Sequence, residues 1–294
     1  MRLVITGAGG FLGKNLVRNL SGKIEFARLL DVNEVVLPKH INSDSFLLDL
    51  ASLEVAEMID ENDVVIHLAW RSNPSLTGSD VEAERKLNWG ASKNLIDICT
   101  KKKAKLLFIS SGGTVYGRPA YTPIDEKHPL APISAYGKVK LEVEEEILRS
   151  SEKEGLKYVI LRPSNLYGPG FSTDKGLGVI GHWVRQIKES QPLRIVGDGE
   201  QVRDFIHVDE LSDAIMHCID LENEILNVGT GTGISLNHLR KIFEEVIGYQ
   251  IEVIRLEERD FDVANNVLSI EHIRQITSWK PHILLSKGIA ELMK

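Results

Sequence analysis

The chain has 294 residues, 43% hydrophobic and 26% charged, enough to bury the core of one large α/β domain, alone or with a smaller lobe. Its net charge of -7, with basic residues dispersed apart from Lys101-Lys102-Lys103, leaves no electrostatic footprint for nucleic acid or an anionic membrane. The two cysteines, Cys99 and Cys218, sit in helical patterns without ligand spacing, which argues against disulfides and zinc and for a reducing compartment.

In chain order, RLVIT predicts a strand directly after Met1, with no signal-like segment, and a helix follows from about Phe11. FARLLD and FLLDL predict two more strands. DVVIHLA predicts a fourth, leading into a helix that reaches Cys99 and ends on the lysine run, where cations suit the negative end of the dipole. KLLFIS predicts a fifth strand, a helix starts near Ser134, and YVILR predicts a sixth. No apolar run approaches the roughly 18 residues of a membrane span, and a cytoplasmic protein is expected. Strands alternating with helices imply a doubly wound parallel sheet. From about Asn165 the pattern loosens around YGPGF, so a smaller C-terminal α/β lobe is expected.

Gly7-Ala8-Gly9-Gly10-Phe11-Leu12-Gly13 stands where the first strand turns into the first helix. Glycines at 7, 10 and 13 permit a tight turn, approach of a pyrophosphate to N–H groups at the helix start, and close helix–strand packing. Asp31, at the end of the second strand, is placed to accept from ribose hydroxyls and to repel a 2′-phosphate, so NAD is expected over NADP. Near the start of a later helix, SAYGKVK sets Tyr136 and Lys140 one turn apart on one face. An ammonium beside a phenol favours phenolate, which would let the tyrosine act as a general base. In a doubly wound sheet, Ser110, Ser111 and Thr114 of SSGGTVYG would converge on the same crevice.

With these residues the chain resembles the extended short-chain dehydrogenase/reductases of the nucleotide-sugar epimerase/dehydratase branch, which includes UDP-galactose 4-epimerase. The resemblance also runs through HLA at 67–69, LRPSNLYGPG at 161–170, GDGEQVRDFIHVDE at 197–210 and RDFDV at 259–263. It implies a Rossmann NAD-binding domain over 1–165, with segments at about 200–230 returning to it, and a mainly substrate-binding lobe over 166–294. It further implies that Asp49 and Leu50 flank the adenine, that Leu68 and Ala69 line the pyrophosphate side, and that Phe11, Leu12, Asn88, Ser110 and Pro163 join the cofactor site. Tyr136 would be the base and Lys140 would bind the nicotinamide ribose. Arg203 and Arg259 would contact the diphosphate of a nucleotide-sugar, with Asn165 nearby in the substrate site, as guanidinium forks suit phosphate.

The family's catalytic serine or threonine falls on Gly112, so Thr114, then Ser111, is expected to bond the reacting sugar oxygen, with strand-end capping as the other reading of each. Gly113 and Thr114 replace the acids that dehydratases and decarboxylases of the family carry, which leaves 4-epimerisation of a UDP-hexose through a 4-keto intermediate. A nucleotide-sugar 4-ketoreductase and a non-catalytic dinucleotide sensor are the alternatives. Trp70-Arg71 depart from the small residues expected after HLA, and Arg71 faces either substrate or solvent. His67 and His207 are read as satisfied core or strand-end residues, and no metal site is expected. Glu142, Glu144, Glu145 and Glu146 are read as a mainly solvated helix face. A homodimer through a helix bundle is implied by resemblance.

Overall fold

Along β1 (Arg2–Thr6), Leu3 and Ile5 enter one hydrophobic cluster and Val4 another. Successive strand side chains point to opposite faces, so a strand apolar throughout needs cover on both. In the computed structural model, which describes residues 1–20, 24–72, 80–170, 178–257 and 263–294, helices supply both covers.

After β1 come α1 (Phe11–Asn19), β2 (Phe26–Asp31), β3 (Ser43–Leu47), β4 (Val64–His67), α2 (Val81–Lys102), β5 (Lys105–Ile109), α3 (Ala135–Glu154) and β6 (Tyr158–Pro163). The chain continues through β7 (Asn165–Tyr167), α4 (Gly178–Lys188), β8 (Leu193–Val196), β9 (Val202–Arg203), β10 (Phe205–His207), α5 (Val208–Cys218) and β11 (Glu224–Val228). It ends with β12 (Ile234–Ser235), α6 (Leu236–Ile247), β13 (Val253–Leu256), β14 (Asn265–Asn266), α7 (Glu271–Ile276) and α8 (Leu285–Met293).

Seven parallel strands form the main sheet in the order β11-β6-β5-β4-β1-β2-β3, the doubly wound arrangement expected. Leu16 and Val17 of α1 and Leu211 and Ile215 of α5 cover one face; Leu95 and Ile96 of α2 and Val143 and Ile147 of α3 cover the other. Each such burial contributes about 1.5–3 kcal/mol. The strand order reverses between β1 and β4, which opens a crevice beyond their carboxyl ends. Outside this sheet, β7–β10, β8–β13 and β9–β12–β14 form small sheets, and α4, α6 and α8 help close a third core around Trp183, Leu193 and Phe243.

Local signals set the helix ends. The Asp80 carboxylate accepts from Ala83 N (3.0 Å) at the start of α2, and the Ser134 hydroxyl accepts from Gly137 N (3.1 Å) at the start of α3. The lysine run closes α2 as expected, with Lys103 left-handed at φ 55°. One strand differs: β3 ends at Leu47, so most of FLLDL lies in the turn beyond it.

The glutamates of α3 also depart from expectation. Glu145 is exposed, but Glu144 and Glu146 are buried and Glu142 is half-buried against Arg85. Arg162 of β6 supplies the cation that makes burial of Glu144 tolerable, and Arg149 and Lys93 pair with Glu146. His67 is satisfied as expected, by Thr6 and Ser92. His207 accepts at Nδ1 from Asp209 N (3.2 Å), but its Nε2 has no hydrogen-bond partner and lies 3.5 Å from Glu291. Among the described residues, no helix is long and apolar enough to cross a membrane.

Candidate active site

The glycine turn is held open by its neighbours. Gly7 has φ +70°, and a Cβ on it would lie 2.6 Å from Ala69 N, so the HLA segment packs directly on the turn. Gly13 packs as closely on the backbone of Gly7 and Ala8. Gly10 is the N-cap of α1 and offers no side-chain cap, unlike Asp80, Ser134 and Ser235 at three other helices. A helix start without a side-chain cap is the kind of place where backbone N–H groups and the helix dipole favour an anion. Asn15 donates to Phe11 O (2.9 Å) and Pro169 O (3.0 Å), tying the YGPG segment to this helix.

Asp31 closes the turn, with Oδ2 accepting from Gly9 N (2.9 Å) and Oδ1 from Asn33 N (2.9 Å). Leu68 N donates to Thr6 O (3.2 Å), which sets Leu68 and Ala69 along the crevice. Leu50 is buried, and Asn94 donates to its carbonyl (2.7 Å). The Asp49 carboxylate accepts from Ala51 N and Arg71 Nη2 (2.6 Å); the backbone N–H first, then Arg71, hold it below the usual carboxylate range. Arg71 is therefore half-exposed and paired with Asp49. An uncapped helix start, a backbone that only glycine allows and a carboxylate at the end of β2 together fit a dinucleotide.

At the other end of the crevice, Lys140 is buried, and its ammonium donates to Ile109 O (2.7 Å). It lies 3.6 Å from the centroid of the Trp70 ring, 4.7 Å from that of Phe108 and 5.7 Å from that of Tyr136. Burial pushes its pKa down to about 7, against the carboxylates of Glu84 and Glu144. Burial, then Glu84, push the Tyr136 phenol up, so its conversion to phenolate needs positive charge from the assembled site. Here the structure differs from the sequence-based expectation of a phenol already lowered by its lysine. Burial, then Lys140, push His67 down to about 3, which keeps this residue neutral between Thr6 and Ser92.

Ser110 is buried and its hydroxyl pairs with Glu144. Ser111 O accepts from Thr114 N and Val115 N, folding SSGGT into a tight turn. Gly113 sits between Ser111 Oγ and Asn165 Oδ1, at 3.8 and 3.9 Å from its would-be Cβ. The turn therefore brings Ser111 and Asn165 to either side of Gly113. Thr114 Oγ1 is buried without a hydrogen-bond partner, and its Cβ abuts the glycine that follows Tyr136. A buried hydroxyl left unbonded carries a desolvation cost of about 1–3 kcal/mol, a cost that a substrate oxygen would relieve.

Gly112, at the family's hydroxyl position, has no room for a side chain. Its would-be Cβ meets Leu268 Cδ1 at 2.7 Å and Arg162 O at 2.9 Å, while Gly112 N donates to Pro163 O (2.9 Å). Asn165 donates to Asp204 O (2.9 Å), and Arg203 donates to Val202 O (2.9 Å) and Ala264 O (3.4 Å). Arg259 lies outside the described residues.

Two features escaped the sequence reading. Glu84 is 1% exposed, and Oε1 accepts from Trp70 Nε1 (2.9 Å), Ser72 Oγ (2.5 Å) and Asn88 Nδ2 (2.8 Å). Asn88 Oδ1 accepts from Arg71 N (2.8 Å), so one asparagine braces the segment directly after β4. The four-residue spacing of Glu84 and Asn88 on α2 was a legible signal. The second feature is Arg162, which forks onto Glu144 and donates to Tyr116 Oη (3.0 Å) beneath the SSGGT turn. It links β6 to α3 and to the turn after β5, segments too distant in sequence for any local pattern.

The profile of the NAD dependent epimerase/dehydratase family matches residues 3–229. A putative UDP-glucose 4-epimerase of Methanocaldococcus jannaschii is 33% identical over 99% of this chain and 97% of its own length. A dTDP-4-dehydro-6-deoxyglucose reductase of Escherichia coli is 29% identical over 99% and 96%. The crystal structure of the Thermotoga maritima UDP-glucose 4-epimerase with UDP-glucose superposes with a TM-score of 0.89 at 28% identity, covering 100% of this chain and 97% of that one. Family profile, fold and dinucleotide-shaped crevice agree: the chain belongs to the NAD-dependent epimerase/dehydratase family of enzymes and uses NAD as its cofactor.

Proposed function

We propose that the chain is a nucleotide-sugar 4-epimerase acting on a UDP-hexose through a transient 4-keto sugar. The observation that carries this reading is that Thr114, whose buried hydroxyl finds no partner among the described residues, packs on Gly137, between Tyr136 and Lys140 on α3. Tyr136 takes the proton of the sugar hydroxyl and later returns one to the same oxygen. Thr114, with Ser111 beside it, holds that oxygen, and Lys140 contributes the positive charge that favours phenolate. Arg203 and Arg259 hold the diphosphate, with Asn165 nearby on the substrate. Gly7, Gly10, Gly13, Asp31, Asn88 and Lys140 would hold NAD. When bound, NAD supplies a positively charged hydride acceptor that also gives the hydride back. A homodimer through α2 and α3 is supported by Leu87 and Leu148, both exposed on those helices, and a cytoplasmic location by two buried free thiols.

A second reading, nucleotide-sugar 4-ketoreductase, is supported by the likeness to the E. coli reductase. Purified protein with NAD is incubated with UDP-, dTDP- and GDP-hexoses beside a Tyr136→Phe control. A 4-epimer formed by the wild type and lost in the control supports the epimerase. In a parallel incubation with reduced NAD and a nucleotide-4-keto-sugar, net reduction with consumption of the reduced cofactor, together with no epimer from the hexoses, supports the reductase.

A further inference from the structure

Trp70 stands at the centre of an arrangement that the roles given to Tyr136 and Lys140 do not require. Its ring faces the Lys140 ammonium at 3.6 Å and meets the Tyr136 ring edge-on, with centroids 5.8 Å apart and planes at 67°. Its Nε1 is tied to Glu84 Oε1 at 2.9 Å. That oxygen collects two further donors, while Oε2 is buried with no hydrogen-bond partner. A buried carboxylate bonded through one oxygen alone is costly unless a cation lies near. A ring face attracts a desolvated ammonium, but only while the ring is held in place. The Glu84–Trp70 bond holds it.

We propose that Glu84 and Trp70 are positioning residues of the Tyr136–Lys140 pair: the carboxylate anchors the indole, and the indole seats the ammonium beside the phenol. The inference rests on the proposed catalytic role of that pair. The charged or titratable groups facing the pair are Glu84 from α2, Glu144 from α3 and His67 from β4, the last kept neutral by burial. Glu84 favours the protonated form of Lys140, so removing its charge weakens the hold of Lys140 on its proton.

The test reads the indole itself. Trp70 emission, taken as the difference between wild type and Trp70→Phe across pH, should show a transition near 7 that Lys140→Met abolishes. Glu84→Gln should move that transition to lower pH by roughly one unit. Glu84→Asp keeps the charge but shortens the reach, so the transition should stay while kcat falls roughly tenfold or more with KM little changed. A Glu84→Gln transition at the wild-type pH, or full kcat in Glu84→Asp or Trp70→Phe, overturns the proposal. Should Glu84→Gln not fold, the kcat of the other two variants decides. The emission titration needs no sugar substrate, so a shifted transition in a protein without epimerase activity would count against the epimerase reading and leave the positioning role standing.

Discussion

Leu268 fills the space that a side chain on Gly112 would need, its Cδ1 lying 2.7 Å from the would-be Cβ. The family hydroxyl is therefore excluded here by packing as well as absent from the sequence. Gly112→Ser should destabilise the protein by about 1–3 kcal/mol, the usual cost of overpacking, without raising kcat. Thermal denaturation together with an epimerase assay checks both; a stable variant with higher kcat would show that the strand can still accept the family arrangement.

Thr114 offers a separation of stability from activity. Thr114→Val removes a hydroxyl that has no hydrogen-bond partner among the described residues, so stability should hold or rise slightly. If that hydroxyl bonds the reacting oxygen, kcat should fall roughly 100-fold or more. Urea unfolding and steady-state kinetics on one preparation decide it; unchanged kcat would move the role to Ser111.

The Glu144–Arg162 pair lies beneath the SSGGT turn with both side chains almost fully buried. Glu144→Gln leaves the guanidinium without its counter-charge and should cost about 3–5 kcal/mol. Glu145→Gln, on the exposed side of the same helix, should stay within about 0.5 kcal/mol of wild type. Equal urea midpoints for the two variants would contradict the asymmetry.

His67 predicts a pH effect on stability. Its folded pKa is pushed down to about 3 from an ordinary 6.5, so below 6.5 the unfolded chain binds more protons than the folded one. Its contribution is complete above about 6.5 and is lost as pH falls toward about 3, at up to about 1.4 kcal/mol per pH unit. The stability difference between wild type and His67→Gln, followed by urea unfolding, should therefore shrink across that window. A constant difference would mean that His67 is protonated in the fold.

What the sequence by itself determined was whatever depends on near neighbours. Short continuous apolar runs, the serine at the start of α3, the glycine turn with Asp31 at the next strand end, and the one-turn spacing of Tyr136 and Lys140 all act over a few residues or one βαβ unit. Tertiary structure decided the rest, because it depends on which distant residues meet. The α3 glutamates read as solvated until β6 brought Arg162 to Glu144. Gly112 read as a missing hydroxyl until Leu268 was found in its space. Trp70 read as an anomaly until α2 presented Glu84 to its Nε1. Burial then raised the phenol and lowered the lysine, since desolvation depends on everything packed around a group and not on the residues beside it in the chain.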